Sequence, residues 1–212
     1  MEELDLLKKD WNKRDTFEQV TEHEIYKMLH RQSSSIVKWL LLISVLEFGF
    51  WILLTVLLND EKYQVKLHRY GLEDFMYWTN VVNYVILVAF IFFFYKNYKT
   101  ISTTDSTRQL MSNIVKTRKT VQYYIWYNLT IVTVNIILSI LMLFYHNAQM
   151  QSLMDNAASK GHSWSFMLIC TGISIAFIAT IIGIFWLFYK LLYGILLKKL
   201  FANYKELKKI DL

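Results

Sequence analysis

The residue with the clearest chemical demand is Glu47, which sits at the centre of the apolar run Ile36–Leu58 among sixteen Leu, Ile, Val and Phe side chains. A charge at that depth of a bilayer costs about 2.5–3.5 kcal/mol on insertion scales. Each of those apolar residues returns about 0.3–0.6 kcal/mol, so the run still inserts. Glu47 then needs hydrogen-bonding partners or a proton. The expected partners are other polar residues inside apolar runs: Asn80 and Asn83 in the second, and Asn128, Thr133 and Asn135 in the third. Such a polar core either lines a proton or ion path or acts as interhelical glue. One lone carboxyl, no intramembrane basic partner and a chain without proline to kink its helices favour glue.

Other chemistry is sparse. His23 and His30 precede the first apolar run, and His68, His146 and His162 lie between runs, so no histidine falls within a span. Those last three lie near Asp60, Glu61, Asp74 and Asp155, but at spacings that match no metal motif, and no metal or other cofactor is expected. Cys170 is the single cysteine and reads as a small packing residue. Gly-rich phosphate loops, nucleophile elbows, His-Glu-x-x-His and Cys-x-x-Cys are all missing, so no catalytic residues are assigned and the chain is expected not to be an enzyme.

The elements that must carry these residues follow from hydropathy. The chain is 55% hydrophobic and 17% aromatic, more than a soluble domain of 212 residues needs. Four runs reach the roughly 20 residues that cross hydrocarbon: 36–58, 75–95, 121–145 and 165–189. The expected fold is an all-α membrane protein, a four-transmembrane-helix bundle. The charged first 35 residues argue against a cleaved signal peptide. Six Lys and Arg precede the first span, three follow it, six lie between spans two and three, one between three and four, and five beyond Leu197. By the positive-inside rule this expects N- and C-termini in the cytosol of a bacterial inner membrane. Trp39, Tyr77, Trp78, Tyr95, Tyr98, Tyr123, Tyr124, Trp164 and Tyr189 lie near span ends and read as interfacial belts. The net charge of +6 flanks membrane helices, which points to anionic lipid rather than nucleic acid.

Helical pattern continues past the spans on the side expected to be cytosolic. Thr21-Glu22-His23-Glu24 is a capping-box sequence that starts a helix running into the first span. Thr104-Asp105-Ser106 starts another, and Leu196, Leu200, Tyr204 and Leu207 extend the last. The organisation is therefore a cytosolic helical segment 1–35, a membrane domain 36–197 with a cytosolic connection 96–120, and a cytosolic helical extension 198–212. Within 1–13, Leu4, Leu7 and Trp11 recur on one helix face, suited to partner binding or to docking on the membrane or the chain's own bundle. Residues 1–35 balance to −2, whereas 96–120 sum to +5 and 190–212 to +4. Gly172, Ala176, Ala179 and Gly183 form a small-residue stripe for close helix packing, inside the bundle or in a homo-oligomer.

The stretch Glu3-Leu4-Asp5-Leu6-Leu7-Lys8-Lys9-Asp10-Trp11, with Glu24-Ile25-Tyr26-Lys27-Met28 and Ser33-Ser34-Ser35-Ile36-Val37-Lys38-Trp39, resembles a family of small four-span membrane proteins of Bacteroidota. Members have carried a carotene-oxygenase label, and their genes often lie beside those of alternative sigma factors. The resemblance implies a regulatory membrane protein of anti-sigma type with a sigma factor as soluble partner. An oxygenase would need histidine and carboxylate ligands converging on an open iron site, which this histidine distribution disfavours. The expectation is a non-enzymatic inner-membrane regulator or adaptor holding a soluble cytosolic protein. The alternative is an oligomeric pore or transporter with a polar path around Glu47.

Overall fold

The computed structural model describes residues 21–57, 65, 73–104 and 106–210. Leu4, Leu7 and Trp11, the end of the first apolar run at Leu58, and the acidic and histidine residues Asp60, Glu61 and His68 lie outside the described residues. The described chain is helical: α1 (Glu22–Leu57), α2 (Glu73–Ser102), α3 (Thr107–His146), α4 (Ala148–Ser159), α5 (Ser163–Tyr189), a π-helical turn (Lys190–Gly194) and α6 (Ile195–Ile210). Four helical stretches are long and apolar enough to cross a membrane, the last running from Ser163 through the π turn to Lys209. The chain is a multi-pass membrane protein built as an all-α bundle.

Each of the four long stretches overshoots its apolar run on the side of Glu22 and Ile210, where the described chain begins and ends. The capping box forms at Thr21: its backbone N–H donates to Glu24 Oε2 at 2.9 Å, and Thr21 Oγ1 accepts from the Glu24 N–H at 3.3 Å. That backbone bond, with the Thr21 hydroxyl, holds the Glu24 carboxyl below the usual carboxylate range. α3 begins after Ser106, whose side chain makes no cap. There the start is fixed tertiarily, because Thr104 Oγ1 accepts from Asn113 Nδ2 at 3.0 Å while Tyr26 Oη donates to the Thr104 carbonyl at 3.0 Å. His30 Nε2 bonds the Ile101 carbonyl at 2.8 Å, so α1 grips the α2–α3 turn twice.

The core lies almost wholly in this half. Val37, Leu40, Phe94, Ile101, Leu110 and Val121 are completely covered, and α6 adds Leu200 and Leu207. Asn203 Nδ2 donates to Ser33 Oγ at 3.1 Å, both buried, tying the last helix to the first. Ile36, Val37 and Leu40 therefore spend their hydrophobicity on protein. Toward the far side the helices keep an apolar exterior with little mutual burial, and between Ser163 and Phe188 no α5 residue is buried.

Candidate functional site, a carboxylate held by three tyrosines

Glu47 lies on the inward face of α1, one turn beyond the buried Ser44, and is 7% exposed. Three phenols converge on it. Tyr124 of α3 donates to Oε2 at 2.9 Å, Tyr193 of the π turn donates to the same oxygen at 2.8 Å, and Tyr189 at the end of α5 donates to Oε1 at 2.5 Å. A carboxylate has only acceptor sites and each phenol brings one O–H, so the set is chemically matched. Among the described residues no buried side-chain nitrogen or oxygen lacks a partner.

The rings are fixed as firmly as the hydroxyls. Tyr124 packs edge-on against Phe90 and Phe94 of α2, each at 5.4 Å between centroids, and against Tyr193 at 5.7 Å. Tyr189 and Tyr193 sit 6.0 Å apart, one turn from each other across the start of the π turn. Asn128 Nδ2 bonds the Tyr124 carbonyl at 2.9 Å and so braces the backbone beneath the phenol. Above the carboxylate, Trp51 stacks on Phe185 at 6.0 Å and 17°. These residues are four positions beyond Glu47 and four before Tyr189, so the pair roofs the site. Helices α1, α3 and the α5–α6 junction are thereby joined at one carboxylate, with α2 packed behind it.

This geometry revises the sequence-based polar core. None of the asparagines or Thr133 bonds Glu47. Asn83 Oδ1 accepts from Tyr127 Oη at 2.8 Å, Thr133 Oγ1 donates to the Leu129 carbonyl at 2.7 Å, and Asn135 Nδ2 donates to the Ile131 carbonyl at 2.9 Å. Asn80 and Asn135 are exposed on the helix exterior. Only Asn128 supports the site, through the Tyr124 backbone. Tyr124 and Tyr189, assigned by sequence to interfacial belts, are instead 2% and 1% exposed, whereas Trp78 and Trp164 remain outside. The physical reason is register. Glu47 is mid-run in 36–58 but meets the fourth residue of the third run and the last of the fourth, because the first turns of its own run are buried in the bundle.

The tyrosines were the missed site residues. Their signal was present as Tyr189 and Tyr193 four residues apart, one helical turn, on a stretch whose single charged residue is Lys190. Gly172, Ala176, Ala179 and Gly183 all face outward, and a Cβ added at either glycine would meet nothing within 4 Å, so the stripe does not serve packing inside the bundle. No group of three or more His, Cys, Asp or Glu residues among the described residues is placed to hold a metal ion.

Residues 23–212 match a family model described as a domain of unknown function (DUF8845). No curated protein and no solved structure matches the chain.

Proposed function

Taking as premise that the chain belongs to the DUF8845 family, we propose that it is a non-enzymatic adaptor or regulator of a bacterial inner membrane, holding a soluble protein on its cytosolic face. The observation that carries this reading is the saturated bundle on the side of the termini. Helices extend past their apolar runs, bury a common core and, among the described residues, pair every buried polar side chain, which builds a rigid platform. The exposed surface of that platform is basic, with Lys116, Lys119, Lys198, Lys199 and Lys205 on α3 and α6 and the half-buried Arg118 beside them. Arg118 and Lys205 also lie over the Phe201 ring, at 4.7 and 5.2 Å, which ranks Phe201 as the aromatic anchor of the patch. Basic charge on this side is what the positive-inside rule asks of a cytosolic face.

A sigma factor is the partner implied by the resemblance of the first quarter of the chain. The family match begins at residue 23, so the shared unit contains the platform. Leu4, Leu7 and Trp11 lie before that match and outside the described residues. The pore reading is not favoured, because Glu47 is enclosed by tyrosines and Asn80, Asn83 and Asn135 make no hydrogen bond to that set.

The test is affinity purification of the tagged protein from its native membrane in mild detergent, with mass spectrometry of co-purifying proteins. A stoichiometric soluble partner is expected, reduced at least tenfold by the triple charge reversal Lys198→Glu, Lys199→Glu, Lys205→Glu with helical content unchanged. Homo-oligomers without a partner, or equal capture by the triple variant, would refute the platform.

A further inference from the structure

At the end of the bundle away from the termini, α4 lies across the ends of α3 and α5 and covers a cleft of about 750 Å³. Leu141 and Phe144 of α3 and Met167 of α5 form its walls, and Gln151 and Asp155 of α4 and Thr171 of α5 its polar rim. At Ile140 it meets a second groove of about 600 Å³, which runs along Phe177, Ile181 and Phe185 and ends on Trp51. From Thr171 to Phe185 the helix rises about 21 Å, against about 15 Å for one leaflet of hydrocarbon. Between the rim and Trp51 its polar lining residues are Ser174, Ser139 and Asn135, whose side chains each donate to a carbonyl of their own helix, and the other residues there are apolar.

Any apolar groove in a bilayer is covered by lipid chains, so the rim decides which lipid is preferred. No lysine or arginine lines either part of the slot. Asp155 is exposed, accepts only, and has no ion-pair partner among the described residues. Gln151 Nε2 is committed to the Tyr145 carbonyl at 2.7 Å, which leaves its Oε1 as a second acceptor at the rim. Two acceptors and no cation repel a head group whose only charge is a phosphate, and suit an ammonium with three N–H donors.

We propose that this slot is a binding site for an amine-headed membrane lipid, with the ammonium on Asp155 and Gln151 and one acyl chain laid between α3 and α5 toward Trp51. The proposal is independent of the adaptor reading, because it concerns the opposite end of the molecule.

The full chain, purified in mild detergent and equilibrated with equal amounts of phosphatidylethanolamine, phosphatidylcholine and phosphatidylglycerol, is read by native mass spectrometry for retained lipid. Phosphatidylethanolamine is expected to be retained about threefold over the other two, the scale of one partly exposed ion pair. Asp155→Asn should bring the three to parity with total lipid unchanged. Thr171→Trp, which fills the slot, should remove the retained lipid of every class. A preference for phosphatidylethanolamine that persists undiminished in Asp155→Asn, or phosphatidylglycerol retained as well as phosphatidylethanolamine by the natural chain, overturns the proposal. Asp155 is exposed and its replacement does not threaten folding, so that comparison decides even if Thr171→Trp does not fold.

Discussion

Near the termini, Val37, Leu40, Phe94 and Ile101 are completely covered by protein, while toward the far side Phe50, Leu53, Val85 and Ile173 are each more than half exposed. The residue types are the same and the packing differs. Helices that emerge into water gain about 25 cal/mol for each Å² of apolar surface they bury on one another. Lipid tails are as apolar as leucine, so no such drive acts between helices within hydrocarbon. The half near the termini is therefore a packed bundle with polar ties. The far half is a set of helices whose mutual contacts leave grooves. Glu47 stands at the junction, where buried polar groups still find partners and the bundle begins to open.

The largest effect should come from deleting the junction itself. Glu47→Leu leaves three buried phenols without their acceptor, each costing about 1–3 kcal/mol in water-soluble proteins. Interhelical hydrogen bonds in membranes are weaker, about 0.6 kcal/mol on average. A loss of about 2–4 kcal/mol is expected, measured by denaturant titration of helical circular dichroism in mixed micelles. Glu47→Gln keeps an acceptor oxygen and should lose about half as much. An unchanged midpoint for Glu47→Leu would mean that the tyrosines repack freely and that the carboxylate does not organise the junction.

Next come single donors. Tyr189→Phe and Tyr193→Phe should each cost about 1–2 kcal/mol in the same titration, since a hydrogen bond to the buried carboxyl is lost while the ring packing stays. The double variant should cost less than the two together, because both phenols serve one carboxylate. Strict additivity would show that they act separately.

A smaller effect is expected where the last helix meets the first. Asn203→Leu removes the donor to buried Ser33 and should cost about 1 kcal/mol, read most directly as faster hydrogen exchange in 195–210. If exchange there is unchanged, α6 is held by Leu200 and Leu207 alone.

The contrast between the halves also explains what could be read from sequence. The four helices and their extensions were legible because length and apolarity report them directly. The capping box at Thr21 and Glu24 forms as its residue pattern implied. The partners of Glu47 were not legible, since apolarity marks Ile36, Val37 and Leu40 identically whether they meet lipid or protein. That ambiguity directed attention to asparagines at the same apparent depth. Tyrosine added to the error, because its amphipathic ring suits an interface and a buried carboxylate equally well.

The smallest effect sharpens the comparison most, because it asks whether the far half is free of protein contacts. Asn135 is exposed, and its amide bonds only a carbonyl of its own helix, so in lipid it has nothing to lose by becoming Leu. Asn135→Leu and Asn80→Leu should change stability by no more than about 0.5 kcal/mol, the range of exposed substitutions away from special features. Asn128→Leu should cost about 1 kcal/mol, because that side chain is 5% exposed and braces the backbone of Tyr124. The three variants share one chemical change and differ only in whether the position faces lipid or the carboxylate site. A loss above about 1 kcal/mol at Asn135 is far more than an amide bonded within its own helix can explain. It would mean that α3 meets another protein surface there, and the outward stripe of Gly172, Ala176, Ala179 and Gly183 would then be the first place to look for a second copy of the chain.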